Sequence, residues 1–322
     1  MSQNSVALYV LKALKQERIN HVFLVPGYNI DPFVENHPEA DIDVVVAAHE
    51  GGAAFMADGY ARASQGFGVC VAMGGPGVTN MVTAIAAAYA DRSPVLVLSG
   101  SLSSKYTGDG VFQDSSSTGV DDIEIMRPIT AWAQRVPHVF DNQIEIDDQN
   151  DSVCYTPEYN KAKDLLHKAI QVMRSLENQP AFLSFPREML NADYQASYQS
   201  PGFDEPVRLL DRSTVQQLPD ILNSATRIVI FAGNGCVRSK ASKELQEFAE
   251  KYSIPVVTTL RAKGVLSEDP SESPMSFGIF GNGGTLQANK LVMGAAAAEG
   301  QPEIPKAEVL LVLGATLNET EQ

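Results

Sequence analysis

One glutamate stands where a strand-like pattern meets a run of small residues. Residues 42–48, apolar except for Asp43, predict a buried strand that delivers His49 and Glu50 at its carboxyl end, and residues 51–65 have the pattern of a helix. Ligands of open α/β sheets bind at the carboxyl ends of the strands. A carboxyl group held there among apolar residues suits proton transfer. A carboxylate that only interacts with the helix dipole would occupy the same position in the sequence. The residue types therefore leave open whether Glu50 transfers protons or stabilises the helix.

Two further loops are predicted to leave the same edge of the sheet. They follow the first and third predicted strands, at residues 26–29 and 74–80. The candidate binding residues in them are Pro26, Gly27, Tyr28, Asn29, Gly74, Gly75 and Asn80. Glycine lets backbone amides approach a ligand closely, because no Cβ intervenes. Three loops that converge beside one carboxylate predict a pocket, although the glycines could equally serve tight turns alone.

The elements that must position these loops alternate along the chain. Short β-branched runs alternate with Ala-rich helical patterns, which predicts parallel sheets with helices on both faces. The predicted strands are residues 21–26, 42–48, 68–73, 95–99, 181–186, 227–232, 254–259 and 309–314. We therefore predict two doubly wound parallel-sheet α/β domains. These are residues 1–187 and 212–322, joined by a Pro- and Ser-containing linker at residues 188–211.

Charge and composition exclude some classes of binding partner. The chain has 24 Lys and Arg against 39 Asp and Glu, a net charge of −15, with 44% apolar residues. An acidic globular chain repels nucleic acid and anionic membranes, so neither is an expected partner. We find no membrane span or signal peptide and expect a cytoplasmic protein. Its three cysteines are far apart, which predicts neither disulfides nor a metal site in this chain.

Three other segments are less informative. Gly233-Asn234-Gly235 lies between a predicted strand and helix and could cradle phosphate, but it lacks the third glycine of a dinucleotide fingerprint and fits a tight turn. Gly108-Asp109-Gly110 resembles a metal-diphosphate signature, yet polar residues precede it, and we expect a surface loop. Residues 141–160 are acidic and polar and are expected to form a surface insertion.

In order and spacing, the motifs of nearly the whole chain resemble those of one enzyme family. This family comprises the thiamine diphosphate-dependent enzymes of the acetolactate synthase, benzaldehyde lyase and oxalyl-CoA decarboxylase type. The shared motifs are Pro26-Gly27, residues 49–62, 74–80 and 88–100, Phe112-Gln113, and residues 127–130, 232–235, 254–259 and 263–270. The resemblance implies that thiamine diphosphate is the cofactor.

The resemblance also implies roles for individual residues. Glu50 matches the glutamate that hydrogen-bonds ring nitrogen N1′ of the aminopyrimidine and thereby promotes loss of the cofactor's C2 proton. Gln113 matches a residue that contacts substrate and could stabilise a developing negative charge. The implied pyrimidine pocket consists of Pro26, Gly27, His49, Gly74, Gly75 and Asn80, and the residues that face substrate are Tyr28, Asn29 and Phe112.

His49 fits a packing role at the strand end equally well. Asp114 stands where many synthases have Glu, which leaves the acceptor chemistry open.

The resemblance covers two of the family's three domains. The missing one binds the diphosphate through Mg²⁺, so we expect a partner subunit to carry that domain and Mg²⁺ in a heterotetramer. The expected reaction is decarboxylation of a 2-oxo acid with carboligation. Alternatives are a piece of a full-length decarboxylase or C–C lyase, a non-catalytic regulatory homologue, and a nucleotide-binding module. FAD is possible in the central domain but not favoured, because residues 313–320 lack the Arg-containing flavin segment.

Overall fold

The computed structural model describes residues 4–64, 66–137, 159–175, 178–194, 196–201, 212–297 and 302–315. The chain divides into two compact units, Met1–Val207 and Arg208–Gln322. In the part of the chain that is described, no helix is long and apolar enough to cross a membrane. Most of the surface insertion predicted at residues 141–160 lies outside the described residues.

Six parallel strands form the sheet of the first unit. They are β1 (His21–Leu24), β2 (Asp43–Val46), β3 (Gly68–Met73), β4 (Val95–Ser101), β5 (Trp132–Arg135) and β6 (Ala181–Pro186). Their order is β2-β1-β3-β4-β6-β5. β5 was not predicted, since an edge strand that contains Gln134 and Arg135 has no continuous apolar run.

Helices cover both faces of this sheet, as the doubly wound prediction requires. They are α1 (Val6–Gln16), α2 (Asp31–Asn36), α3 (Glu50–Ser64), α4 (Pro76–Ala90), α5 (Asp122–Met126), α6 (Tyr159–Met173) and α7 (Arg187–Asn191). One hydrophobic core contains Val69 and Val71 of β3 together with residues of α1, α2, α6 and α7. The core on the other face contains Cys70 and Ala72 of β3 together with residues of α3, α4 and α5. Successive β3 side chains thus point to opposite faces, and the predicted fold class is confirmed.

Small residues let α3 approach both α4 and β3 closely. A Cβ on Gly51 would lie 3.0 Å from the Asn80 carbonyl oxygen, and one on Gly68 would overlap the Ala57 carbonyl group. Larger side chains would separate these elements, because interiors are close-packed. The Ala- and Gly-rich composition of α3 therefore brings the start of α3 beside the first turns of α4.

The first unit continues into the predicted linker. The rings of Tyr9 and Tyr194 meet edge to face with centroids 4.7 Å apart, and Tyr198 is buried. The Tyr198 hydroxyl and Arg174 both donate hydrogen bonds to Glu17. Tyr194 and Tyr198 thus pack on α1 and α6 within the segment predicted as a linker, whose bounds stay a prediction. Isolated tyrosines create no periodicity, so the sequence pattern did not reveal this packing.

The second unit contains four parallel strands in the order β10-β7-β8-β9. The strands are β7 (Ile228–Ala232), β8 (Val256–Thr258), β9 (Ser276–Ile279) and β10 (Val309–Leu313). The helices are α8 (Arg212–Ser224), α9 (Asn234–Arg238), α10 (Ser242–Tyr252) and α11 (Leu286–Met293). β9 was not predicted, because a glycine, Gly278, interrupts its apolar pattern.

The glycines that follow β7 have a packing role. A Cβ on Gly233 would overlap Gly314 and Ala315, and the Gly235 N–H donates to the Gly314 carbonyl at 2.8 Å. The Gly235 amide therefore already has a hydrogen-bond acceptor within the second unit. The tight-turn interpretation explains both glycines without a phosphate ligand.

Candidate active site

Glu50 is the first residue of α3, at the edge of the six-stranded sheet. Its carboxyl group is half-buried, and the side-chain amide of Asn80 donates a hydrogen bond to Oε2 at 2.9 Å. The sequence predicted that a buried strand delivers Glu50, and this is wrong. β2 is an edge strand, and its last residue, Val46, is 62% exposed.

His49 fixes the first turn of α3. Its ring Nδ1 accepts a hydrogen bond from the Gly51 N–H at 3.0 Å, while much of the ring is exposed. An acceptor at this point satisfies one of the free amides of a helix N-terminus. His49 thus positions Glu50 through the backbone, and the cofactor contact predicted for it stays a prediction.

The glycine loop after β3 places Asn80 opposite Glu50. The Gly74 N–H donates to the Gly100 carbonyl at 2.9 Å, and Gly75 adopts φ +72° and ψ −116°. This conformation is accessible essentially to glycine alone. α4 begins at the next residue, and a Cβ on Gly77 would lie 3.6 Å from Glu50 Oε1. The loop therefore sets where α4 starts and how closely it approaches the carboxyl group.

A buried carboxyl group that was not predicted holds this loop. Asp122 is fully buried, and its two oxygens lie 3.1 and 3.3 Å from the Gly75 nitrogen, whose N–H they accept. Burial raises the pKa of Asp122 to about 7, although the Gly75 hydrogen bond and Arg135 oppose the shift. In the sequence, Asp121 and Asp122 look like equivalent helix-capping residues. Only Asp121 has that role, accepting from the Ile123 N–H at 3.0 Å.

The loop after β1 crosses the carboxyl ends of β3 and β4. A Cβ on Gly27 would overlap the Met73 side chain, and one on Gly100 would overlap the Asn29 carbonyl. Asn29 is buried, and its side-chain Oδ1 has no hydrogen-bond partner among the described residues. Buried polar atoms are nearly always paired, so this oxygen is available to a ligand. Pro26 and Tyr28 of the same loop are exposed.

Gln113 lies beside the glycine loop, as its predicted role requires. Residues 110–114 and 118–120 border a cavity of about 390 Å³ together with Gly75 and Pro76. Gln113 has φ +61°, and its Cα would lie 3.8 Å from a Cβ on Gly75. Phe112 is 84% exposed, so its predicted contact with substrate needs a group from outside the described residues.

The described residues thus bring most of the predicted site to one sheet edge. Glu50 and Asn80 form a hydrogen-bonded pair, Gly74 and Gly75 shape the loop beside them, and Gln113 borders the adjoining cavity. Within the described ranges, no three His, Cys, Asp or Glu side chains are grouped so that they could hold a metal ion. A carboxyl group with one amide partner can exchange a proton with a heterocyclic nitrogen.

Comparison with known families matches both halves of the chain. Residues 4–124 match the thiamine pyrophosphate enzyme, N-terminal TPP binding domain, and residues 215–322 match the thiamine pyrophosphate enzyme, central domain. The first match contains every predicted site residue.

Curated relatives show the same relationship. The chain is 33% identical over 290 residues to a probable acetolactate synthase large subunit of Methanocaldococcus jannaschii, covering 88% of this chain and 44% of the relative. It is 27% identical over 322 residues to the acetolactate synthase isozyme 1 large subunit of Escherichia coli, covering 97% and 49%. The chain therefore spans about half the length of these relatives.

Proposed function

Because the chain carries the N-terminal TPP binding domain and the central domain of the thiamine pyrophosphate enzymes, we propose that it is one subunit of a split thiamine diphosphate-dependent enzyme. The reaction is decarboxylation of a 2-oxo acid followed by carboligation to a second carbonyl compound. The names of the relatives, acetolactate synthase large subunits, support a carbon–carbon bond-forming reaction over simple decarboxylation or lyase activity.

The Glu50–Asn80 pair is the observation that carries this proposal. A carboxyl group at a sheet edge, oriented by an amide 2.9 Å away, suits a hydrogen bond to an aminopyrimidine ring nitrogen. The unpaired Oδ1 of buried Asn29 is an acceptor that an amino group could satisfy. The residues present therefore fit the pyrimidine half of the cofactor.

Each residue contributes a defined step to the proposed mechanism. Thiamine diphosphate, when bound, supplies the nucleophilic carbon and the electron sink. Glu50 holds or releases a proton at its carboxyl oxygen, and Asn80 fixes the orientation of that oxygen. Gln113, beside the loop, donates a hydrogen bond to a substrate oxygen as negative charge develops there.

We propose that a partner subunit supplies the diphosphate domain and its Mg²⁺, in a heterotetramer. Apolar side chains are exposed close to Glu50 in sequence and on the same elements. Phe55 and Met56 of α3 and Val46 of β2 are each at least 44% exposed. Exposed apolar groups beside a functional carboxyl mark a surface that another domain covers. The alternative source of that domain is a longer polypeptide that contains this sequence.

A pull-down of the tagged chain from its native host tests the proposal. We expect a stoichiometric partner with a Gly-Asp-Gly…Asn metal-diphosphate segment, and 2-oxo acid decarboxylation by the pair with thiamine diphosphate and Mg²⁺. We also expect no flavin absorbance in the purified pair. Recovery of one longer polypeptide would replace the split enzyme with a single-chain one. Recovery of the chain alone, without cofactor binding, would favour a regulatory role.

A further inference from the structure

The end of β6 places an arginine at the sheet edge that carries the site. Arg187 follows Pro186, the last residue of β6, and its guanidinium carbon lies 3.6 Å from the centroid of the Tyr28 ring. Tyr28 belongs to the loop after β1. Because β3 and β4 separate β1 from β6, this contact spans the carboxyl ends of the two central strands.

The guanidinium of Arg187 has no anionic partner among the described residues. Its Nη1 is buried without a hydrogen bond, although the chain has 39 acidic residues and a net charge of −15. Most arginines in such a chain find a carboxylate, as Arg62 does with Asp58 and Asp91. Buried guanidinium N–H groups need acceptors, and a planar anion supplies two at once.

The neighbouring carboxylate does not neutralise Arg187. Glu188 Oε1 accepts hydrogen bonds from the Ser104 backbone N–H, at 2.9 Å, and from the Ser104 hydroxyl. Burial acts to raise the pKa of Glu188, but the hydrogen bonds from Ser104 outweigh it and the pKa is lowered. Glu188 is thereby held as an anion that ties the loop after β4 to α7. Tyr28 stacking and this tie hold Arg187 in place with its Nη1 unpaired.

We propose that Arg187, positioned by Tyr28, binds the carboxylate of the 2-oxo acid substrate. This inference rests on the proposed function, because it needs a substrate with a carboxylate. The cofactor's diphosphate offers similar anionic oxygens, but the proposed partner domain and its Mg²⁺ hold that group. The planar fork of a guanidinium matches a carboxylate in two parallel hydrogen bonds.

Steady-state kinetics of the reconstituted enzyme test this role. For Arg187→Met we expect the KM for pyruvate to rise about tenfold or more, since a charge-assisted pair is lost. We expect a smaller change in kcat and an unchanged Kd for thiamine diphosphate. Arg187→Lys and Tyr28→Ala should give intermediate KM values.

A cation–π pair in the other unit supplies the matched control. Lys251 Nζ lies 5.2 Å from the centroid of Tyr252, on α10. Lys251→Met removes the same kind of contact outside the site, and we expect wild-type KM and kcat from it. A KM increase of similar size in this variant would overturn the assignment, because it would show a general effect of lost positive charge.

Pyruvate binding without cofactor provides a readout that is independent of turnover. We expect the full chain to broaden the NMR signal of the pyruvate methyl group, Lys251→Met to do so equally, and Arg187→Met not to. An Arg187→Met chain that still broadens the signal would overturn the proposal. So would a raised Kd for thiamine diphosphate with an unchanged KM for pyruvate, which would assign Arg187 to the diphosphate. If the wild-type chain binds pyruvate through Arg187 but the complex decarboxylates no 2-oxo acid, the proposed function fails and the carboxylate site stands.

Discussion

At the scale of single residues, Asn80 is the group through which the glycine loop acts on Glu50. Its amide makes the one hydrogen bond found for the Glu50 carboxyl among the described residues, at 2.9 Å. We expect Asn80→Ala to lower kcat of the reconstituted enzyme about tenfold. A partly exposed hydrogen bond to a charged group contributes about 1.5 kcal/mol.

Thr79 supplies the control for this measurement. It precedes Asn80 on α4, and its hydroxyl donates to the Pro76 carbonyl at 3.0 Å, within its own helix. Thr79→Ala should keep kcat within about twofold of the wild type, as surface substitutions usually have small effects. Equal losses in the two variants would show that the first turn of α4, and not the Asn80 amide, is what matters.

The buried carboxyl group of Asp122 should make the stability of the folded chain depend on pH. Its pKa is raised by burial from 3.8 to about 7 in the folded chain, so between these values the folded state keeps a proton that the unfolded state loses. The stability contributed by protonated Asp122 is therefore complete below about pH 4 and is lost as the pH rises to about 7. Asp122→Asn, which cannot ionise and still accepts from Gly75, should gain Tm relative to the wild type between pH 5 and pH 8.

Thermal unfolding of both proteins at several pH values provides the check. Arg135 lowers and Asp121 raises the pKa of the Asp122 carboxyl, and both effects are lost with the charge in Asp122→Asn. A Tm difference that stays constant from pH 5 to pH 8 would contradict the raised pKa.

At the scale of elements, the start of α4 depends on the backbone of Gly75. Any other residue at φ +72° and ψ −116° is strained, at a cost of about 1–3 kcal/mol. We expect Gly75→Ala to lower the free energy of unfolding by this amount and to weaken cofactor binding, because the strained loop moves Asn80. Denaturant unfolding and cofactor titration measure the two effects.

Gly59 of the neighbouring helix α3 is a glycine that a larger residue can replace, in contrast to Gly75. It is exposed inside α3, and a Cβ there would contact nothing within 4 Å. Gly59→Ala should stabilise the chain by up to about 1 kcal/mol, because alanine favours helix. If Gly75→Ala were as well tolerated as Gly59→Ala, the loop would not be the element that positions Asn80.

The sequence was most informative where local pattern decides structure. Alternation of apolar runs and helices predicted the parallel sheets, and turn chemistry identified the Gly74–Gly75 loop. The contacts of Asp122 and Arg187 were missed because they come from packing between elements distant in the chain. The edge position of β2 was missed for the same reason. Strand order is a tertiary property that hydrophobic periodicity does not encode.

At the scale of the whole molecule, each unit has its own hydrophobic core. We expect residues 1–207 alone to unfold cooperatively, as single domains do. A chain of residues 1–187 should be less stable by at least about 3 kcal/mol, because it lacks the buried rings of Tyr194 and Tyr198. Denaturant unfolding of both chains makes the comparison. Equal stability would support the predicted end of the first domain at residue 187.

The most direct test of the proposed function is the Glu50→Gln variant of the reconstituted enzyme. Glutamine keeps the size of the side chain but cannot hold or release the proton at that position. We expect 2-oxo acid decarboxylation to fall at least about a hundredfold, the usual contribution of a general acid or base, with an unchanged circular dichroism spectrum. Glu35→Gln, at an exposed position of α2, should keep full activity. Near-wild-type turnover by a folded Glu50→Gln enzyme would contradict the assignment of Glu50 and the catalytic role of this chain.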